Sequence, residues 1–174
     1  MEIILASSNL HKVKEINAIV EGQNIMFILP PKEFDPIENG QTFEENSYIK
    51  ARAAWNLSQQ WVLADDSGLC IDALDGAPGI YSARYAGEGH CDKDNSRIDR
   101  VLKELKGSEN RIARFKCAMT LLNPQGEIAF KYTGICEGSI VVEQRGVNGF
   151  GYDPIFLLKN SDKTMAELSD DEKN

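Results

Sequence analysis

The sequence is poor in the residues that build several common kinds of site. Its two histidines, His11 and His90, lie far apart among polar residues, which argues against a catalytic histidine dyad or a histidine-rich metal site. We expect both side chains to be exposed. The four cysteines are widely separated and form no C-x-x-C pair, so neither a zinc site nor a redox motif is indicated. Three of them lie in apolar stretches, and we expect these to be small, reduced core residues.

Long apolar runs and an excess of positive charge are also absent. No run approaches the roughly 20 residues of a membrane span, and the start MEIILASSN lacks the features of a signal peptide. We therefore predict a cytoplasmic protein without a membrane partner. Acidic residues outnumber basic ones 27 to 19, and the net charge of −8 disfavours binding to nucleic acid. An anionic substrate would need a local basic site or a bridging cation.

The 174 residues contain no internal repeat, low-complexity stretch or linker, which predicts a single domain over residues 1–174. Apolar periodicity and turn residues divide the chain into alternating strands and helices. Strands are predicted at 2–6, 25–29, 61–65, 69–74, 112–122 and 127–142, and helices after the first strand, from 42 to about 60, over 93–106 and from 164. The run at 127–142 pairs with 112–122 as a long antiparallel hairpin in this prediction. The order of elements predicts an α/β or α+β fold with a mixed sheet.

The first predicted strand leads into the polar segment ASSNLHK, residues 6–12. Ser7, Ser8 and Asn9 can cap the following helix. The N–H groups at the start of that helix, together with Lys12, would favour an anion. A cap beside a solvated lysine explains the same residues about as well. The segment lacks the glycines of a P-loop.

The segment VLADDSGLCI, residues 62–71, places two adjacent acids between apolar runs. Alternation along a strand directs Asp65 and Asp66 to opposite faces, so we expect one to point into a site and the other to brace a turn at Ser67-Gly68. Ligand crevices of α/β sheets lie beyond the carboxyl ends of strands, where these acids are predicted to lie. A purely structural acidic turn is the alternative.

The helix that begins after Thr42 carries further candidates. Thr42 and Glu45 have the spacing of a capping box, and Asn46 and Lys50 are four residues apart, so they share a face. Glu45 acting only as a capping acid, and Lys50 as a surface lysine, are the alternatives. Glu38, in the preceding loop, carries little local information.

The segment GVNGFGYDPIF, residues 146–156, combines three glycines with aromatic residues in a loop that precedes a strand. Glycines allow the backbone to approach a ligand closely, and Phe150 or Tyr152 could stack on a planar base. A glycine-rich turn with packed aromatic rings is an equally good interpretation.

Taken together, these segments resemble the inosine triphosphate pyrophosphatase family, the non-canonical purine nucleoside triphosphate pyrophosphatases. The resemblance lies in SSNLHKVKE at 7–15, ENGQTFEENSYIKA at 38–51, ADDSGLCIDALDGAPGIYSARYAG at 64–87 and GFGYDPIF at 149–156, with a weaker match at 163–174. It implies an elongated mixed sheet whose flanking helices form two lobes around a cleft, and a homodimer. It also implies Mg²⁺-dependent hydrolysis of ITP, dITP and XTP to the monophosphate and pyrophosphate, which cleanses the nucleotide pool.

The resemblance further implies roles for individual residues. Asp66 would accept a proton and bind the metal, with Glu38 and Glu45 as the other candidate metal ligands. Asp65, which alternation directs to the opposite face, is then expected to secure the turn. The implied substrate contacts are Ser7, Ser8, Asn9 and Lys12 at the phosphates, Asn46 and Lys50 beside the metal-site acids, Ser67 at the substrate, Phe150, Gly151, Tyr152 and Asp153 in a base-binding loop, and Lys173 at the nucleotide.

The main departure from the family pattern lies at the end of the sequence. The family continues beyond the lysine that matches Lys173 into Ser-His-Arg, which helps to recognise the 6-oxo group, and then into a terminal helix, whereas this sequence stops at Asn174. One alternative is therefore a truncated family member that binds nucleotides with little or no turnover. Another is a septum-inhibitor-like pyrophosphatase acting on modified pyrimidines, against which the GFGYDP and ADDSG segments argue.

Overall fold

A computed structural model describes residues 1–7, 10–87 and 93–173 of the chain. Four helices and six strands are described. The strands are β1 (Glu2–Leu5), β2 (Met26–Ile28), β3 (Val62–Ile71), β4 (Ile112–Leu122), β5 (Ile128–Ile140) and β6 (Phe156–Leu158), and the helices are α1 (Leu10–Ile19), α2 (Phe43–Ser58), α3 (Lys93–Glu104) and α4 (Asp170–Lys173).

The six strands form one sheet in the order β2-β1-β3-β4-β5-β6. β1 is parallel to both β2 and β3, whereas β5 and β6 are antiparallel. The predicted mixed α/β fold is therefore confirmed. In the described part of the chain, no helix has the length and apolar character needed to cross a membrane.

The chain divides into two compact units. The first consists of Met1–Asp66 and Cys117–Gly134, and its core combines the apolar side chains of β1 with alanines of α2 and the apolar start of β3. The second consists of Ser67–Lys116 and Ile135–Asn174, and its core packs α3 against the apolar end of β3 and residues around β6.

Helix α2 begins where the sequence predicts. The Thr42 hydroxyl accepts a hydrogen bond from the Glu45 N–H at 3.1 Å, which confirms the predicted N-cap. The Glu45 carboxylate accepts from the N–H of Gln41 at 2.6 Å, one residue before the partner expected for a capping box. The helix ends at Ser58, and Gln59 follows in the left-handed conformation with a φ of 54°.

Strand β3 corrects the prediction of two short strands joined by a turn. It is continuous through Asp65, Asp66, Ser67 and Gly68, although a strand ending at 65 and a turn at 67–68 were expected. Both aspartates are buried. Side chains of α1 and α2 donate hydrogen bonds to the two buried carboxylates. Because these bonds replace contacts with water, the acids do not need a turn that would expose them to solvent.

Strands β4 and β5 are adjacent in the sheet, as predicted. Asn123 closes the turn between them, because its side chain accepts from the N–H groups of Gln125 and Glu127 and its N–H donates to the Glu127 carbonyl. A connection this short joins antiparallel neighbours, so the predicted hairpin is confirmed.

The predicted helix from Thr164 is instead a 3₁₀ turn, Met165–Glu167, followed by α4. Thr164 and Glu167 form a complete capping box there, as predicted. Among the cysteines, Cys70 is buried and Cys117 and Cys136 are half-buried, and all three are free thiols. The environments of Cys91, His90 and the His11 side chain lie outside the described residues.

Candidate active site

Asp66 lies in β3 at the centre of a group of polar side chains in the first unit. It is 9% exposed, and its Oδ2 accepts a hydrogen bond from Nδ2 of Asn46 at 3.1 Å. The other end of the Asn46 amide accepts from the Gly40 N–H at 2.9 Å. A Cβ at Gly40 would lie 2.7 Å from Asn46 Oδ1, so this approach requires glycine. Asn46 thereby joins the Asp66 carboxylate to the loop that precedes α2.

Lys50 lies one turn further along the same face of α2, as its spacing from Asn46 predicts. Its Nζ donates to the backbone carbonyl of Asp65 at 2.6 Å and lies 3.7 Å from Oε1 of Glu38. Lys50 is 9% exposed, so it is not the solvated surface lysine considered above. A cation, an amide and two acids are therefore assembled around one stretch of β3.

The environment of Asp66 favours the protonated form of its carboxyl group. Burial raises the pKa of Asp66, and the negative charges of Glu38 and Asp65 raise it further. The charge of Lys50 and the hydrogen bond from Asn46 lower it, but the pKa stays above its ordinary value. A carboxylate with a raised pKa is suited to accept a proton near neutral pH.

Asp65 faces Lys12 of α1, with which it forms an ion pair. Burial alone would lower the pKa of Lys12, but attraction to Asp65 outweighs that effect and the pKa is raised, so Lys12 keeps its charge. The expectation that Asp65 secures a turn is wrong, because β3 is continuous there. It instead binds a lysine predicted to hold phosphates.

The other residues predicted to hold phosphates lie in the same stretch of chain. Ser7 is 7% exposed, and its N–H donates to the Leu5 carbonyl at 2.7 Å. Ser8 and Asn9 lie outside the described residues. Ser67, predicted to contact substrate, is an exposed residue of β3 and belongs to the second unit.

The donors beside Asp66 fit a hard divalent cation. Lys50 lies 3.7 Å from Glu38 and its charge also acts on Asp66, so both acids interact with this lysine, and both supply the carboxylate oxygens that Mg²⁺ prefers. The Glu45 carboxylate is instead hydrogen-bonded to the Gln41 N–H. Within residues 1–7, 10–87 and 93–173, no three His, Cys, Asp or Glu side chains are grouped to hold a metal. Two of the three predicted metal-binding acids thus interact with one lysine, and the metal assignment stays a prediction.

In the second unit, Lys173 forms an ion pair with Asp153, the last residue of the predicted base-binding loop. Lys173 Nζ donates to Oδ2 of Asp153 at 2.8 Å, and the side chains are only 14% and 10% exposed. The same oxygen accepts from the Phe150 N–H at 3.2 Å. Gly149 has a φ of 77°, and a Cβ there would overlap both charged groups. The loop conformation therefore depends on this ion pair and on glycine.

Tyr152 and Phe150 occupy different environments. Tyr152 is 4% exposed and its hydroxyl donates to the Ser82 carbonyl at 3.0 Å, so its ring is packed inside the protein, and its contact with a base stays a prediction. Burial also raises the pKa of its hydroxyl. Phe150 is 49% exposed and is the aromatic side chain of the loop that remains at the surface. The N–H of Gly151 donates to Asp94 of α3 at 3.0 Å, a contact for which the sequence carries no local signal.

Known proteins resemble this chain over almost its entire length. The model of the Ham1 family matches residues 3–174. The dITP/XTP pyrophosphatase of Halalkalibacterium halodurans is 49% identical, with 99% of this chain and 90% of the relative covered. That of Bacillus subtilis (strain 168) is 50% identical, with 99% and 88% covered.

Solved structures give the same result. The Staphylococcus aureus Ham1 protein is 41% identical with a TM-score of 0.87, and the alignment covers 99% of this chain and 89% of that one. A HAM1 protein from Coxiella burnetii is 42% identical with a TM-score of 0.89, and the alignment covers 100% and 90% of the two chains.

Proposed function

Because the chain belongs to the Ham1 family, we propose that it hydrolyses the non-canonical purine triphosphates ITP, dITP and XTP to the monophosphate and pyrophosphate. Relatives named dITP/XTP pyrophosphatase share about half of its residues over 99% of the chain, which supports the enzyme over a binding protein without turnover. The buried Asp66, with its raised pKa and its amide and lysine neighbours, is the feature that supports a hydrolytic role most directly.

In the proposed reaction, Asp66 accepts a proton from the water that attacks the α-phosphorus. The water oxygen forms a bond to phosphorus while the bond from the α-phosphorus to the bridging oxygen breaks, and pyrophosphate leaves with that electron pair. Asn46 holds Oδ2 of Asp66, so Oδ1 is the oxygen proposed to take the proton. Protein dipoles and charges held in place in this way need no rearrangement during the reaction.

Positive charge for the triphosphate comes from Lys12 and Lys50, each held against β3 by Asp65. We propose that Asp66 and Glu38 hold Mg²⁺, which when bound neutralises phosphate charge and makes water more acidic. The donor chemistry of the two carboxylates supports this assignment. Glu45, whose carboxylate accepts the Gln41 N–H, acts in this proposal as a capping acid.

The purine base is proposed to stack on Phe150, the exposed ring of the loop 149–153. Lys173 holds the Asp153 carboxylate, which accepts the Phe150 N–H, so this ion pair supports the base site through the backbone of Phe150. Preorganisation of this kind lowers the entropy lost when the nucleotide binds.

We also propose that the protein acts in the cytoplasm as a homodimer, as the family resemblance implies. The acidic composition is compatible with small-molecule chemistry in a nucleotide pool, since it disfavours nucleic acid as a partner. Size-exclusion chromatography with light scattering tests the dimer, which requires twice the mass of one chain.

Pyrophosphate release from ITP, dITP, XTP, ATP and GTP in the presence of Mg²⁺ tests the proposed activity. We expect rapid release from the first three and slow release from the last two. Equal release from all five would contradict the proposed purine selectivity. Measurable nucleotide binding with no pyrophosphate from any of them would favour the binding-protein alternative.

A further inference from the structure

Two consecutive backbone N–H groups of the loop 149–153 are each held by a carboxylate. The Phe150 N–H donates to Asp153, three residues away, and the Gly151 N–H donates to Oδ2 of Asp94 at 3.0 Å. Asp94 lies in the first turn of α3, 57 positions from Gly151 in the sequence. The proposed base-binding loop is therefore anchored to a helix that no sequence motif connects with it.

Asp94 is itself held in place. Its Oδ1 forms an ion pair with Arg97, one turn further along α3, and Arg97 Nη1 donates to the Ala83 carbonyl at 3.1 Å. The preceding carbonyl, of Ser82, accepts the Tyr152 hydroxyl at 3.0 Å. Gly151 is thus attached to the short segment at residues 82–83 through Asp94 and Arg97 of α3. Tyr152 is attached to the same segment directly. Phe150 immediately precedes Gly151, and its ring is 49% exposed.

We propose that Asp94 is a positioning residue for nucleotide binding, which fixes the loop so that Phe150 is presented to the purine base. This inference rests on the proposed function. Asp94 is assigned no contact with the reacting atoms, so its removal should weaken binding and leave the chemical step unchanged. The other role open to an acid in the first turn of a helix is to stabilise the helix dipole. That role alone would alter thermal stability without altering substrate affinity.

Steady-state kinetics of Asp94→Ala with ITP separate these roles. We expect KM to rise about tenfold, equivalent to ~1.4 kcal/mol, with kcat within about twofold of wild type. Asp99→Ala is the matched control, because Asp99 is an exposed acid of the same helix and its removal changes the net charge equally. Asp94→Asn keeps an oxygen that can accept from Gly151, so its KM should rise less. Asp94→Asn also serves if the alanine variant fails to fold.

Hydrogen exchange at the Gly151 amide gives a second readout that needs no substrate. Exchange should be faster in Asp94→Ala than in wild type or Asp99→Ala, because a bound amide must open before it exchanges. The inference is overturned if the wild-type enzyme is active and Asp94→Ala has the same KM as the Asp99→Ala control. It is also overturned if exchange at Gly151 is unchanged. A wild-type protein that cleaves no purine triphosphate would instead contradict the proposed function, and the exchange measurement would still decide whether Asp94 fixes the loop.

Discussion

Replacing Asn46 with alanine tests how the site holds its proposed general base. Asn46 is 1% exposed, and its amide donates to Asp66 at 3.1 Å and accepts from Gly40 at 2.9 Å. A hydrogen bond to a charged group contributes ~1.5–3 kcal/mol to stability and a neutral one ~1 kcal/mol. We therefore expect Asn46→Ala to lower the free energy of unfolding by about 2–4 kcal/mol, measured by urea denaturation.

The same substitution should change the pH dependence of activity. The hydrogen bond from Asn46 lowers the pKa of Asp66 and opposes the effect of burial, so its loss raises that pKa further. A general base acts in its ionised form, and activity is lost as pH falls through its pKa. The acid limb of the kcat/KM profile for ITP should therefore move to higher pH in Asn46→Ala. The profile is measured below the melting temperature of the variant.

Asn17→Ala is the matched control for this experiment. The Asn17 amide also makes two hydrogen bonds. It donates to the Phe27 carbonyl at 2.9 Å and accepts from the Phe27 N–H at 2.8 Å, and so joins α1 to β2. Its loss should lower stability without moving the acid limb. The reasoning fails if Asn46→Ala leaves the acid limb in place, or if Asn17→Ala moves it equally.

Three further outcomes follow from the structure. Glu38→Gln should raise the Mg²⁺ concentration for half-maximal activity several-fold, whereas Glu45→Gln should not, and equal effects in a Mg²⁺ titration would contradict the metal assignment. The pKa of Asp66 is higher in the folded than in the unfolded protein, so the folded state favours the protonated carboxyl group. The stability this contributes is present below the unfolded pKa and is lost as pH rises through the folded pKa. Asp66→Asn should therefore melt at a higher temperature than wild type at pH 7 but not near pH 3, and a lower melting temperature at pH 7 would refute this. Gly149→Ala should raise the KM for ITP more than Gly151→Ala, since both have positive φ but only a Cβ at Gly149 meets other atoms, and equal kinetics would exclude that steric cause.

The features of α2 could be predicted from the sequence because they are local. Thr42 caps the helix through a neighbour three residues away, and the spacing of Asn46 and Lys50 places both on one face for any regular helix. Asn46 and Lys50 reach their partners in β3 because that face of α2 packs against the sheet. A periodic pattern predicts which residues lie together, and here both reach the Asp65-Asp66 pair.

The course of β3 could not be predicted in the same way. The polar run Asp65-Asp66-Ser67-Gly68 has the composition of a turn, because two acids and a glycine are costly inside an unsupported strand. In the folded protein Lys12 and Asn46 bind the two aspartates, and these residues are 53 and 20 positions away in the sequence. Tertiary partners thus override the local preference.

The base loop presents a similar limit. Phe150 and Tyr152 flank one glycine, and the sequence carries no signal for which ring is buried. The hydrogen bond from Tyr152 to Ser82, 70 positions away, accompanies its burial, and the bond from Gly151 to Asp94 spans 57 positions. Contacts of this range depend on the packing of the second unit and leave no periodic trace in the chain.

Pyrophosphate release from ITP by wild-type protein and by Asp66→Asn, at saturating Mg²⁺ and neutral pH, tests the central claim most directly. We expect wild type to release one pyrophosphate for each IMP formed. The rate of the variant, which keeps a hydrogen-bonding group but loses the base, should fall by about a hundredfold to ten-thousandfold. A folded Asp66→Asn protein that retains turnover close to wild type would contradict the assignment of Asp66 as the catalytic base.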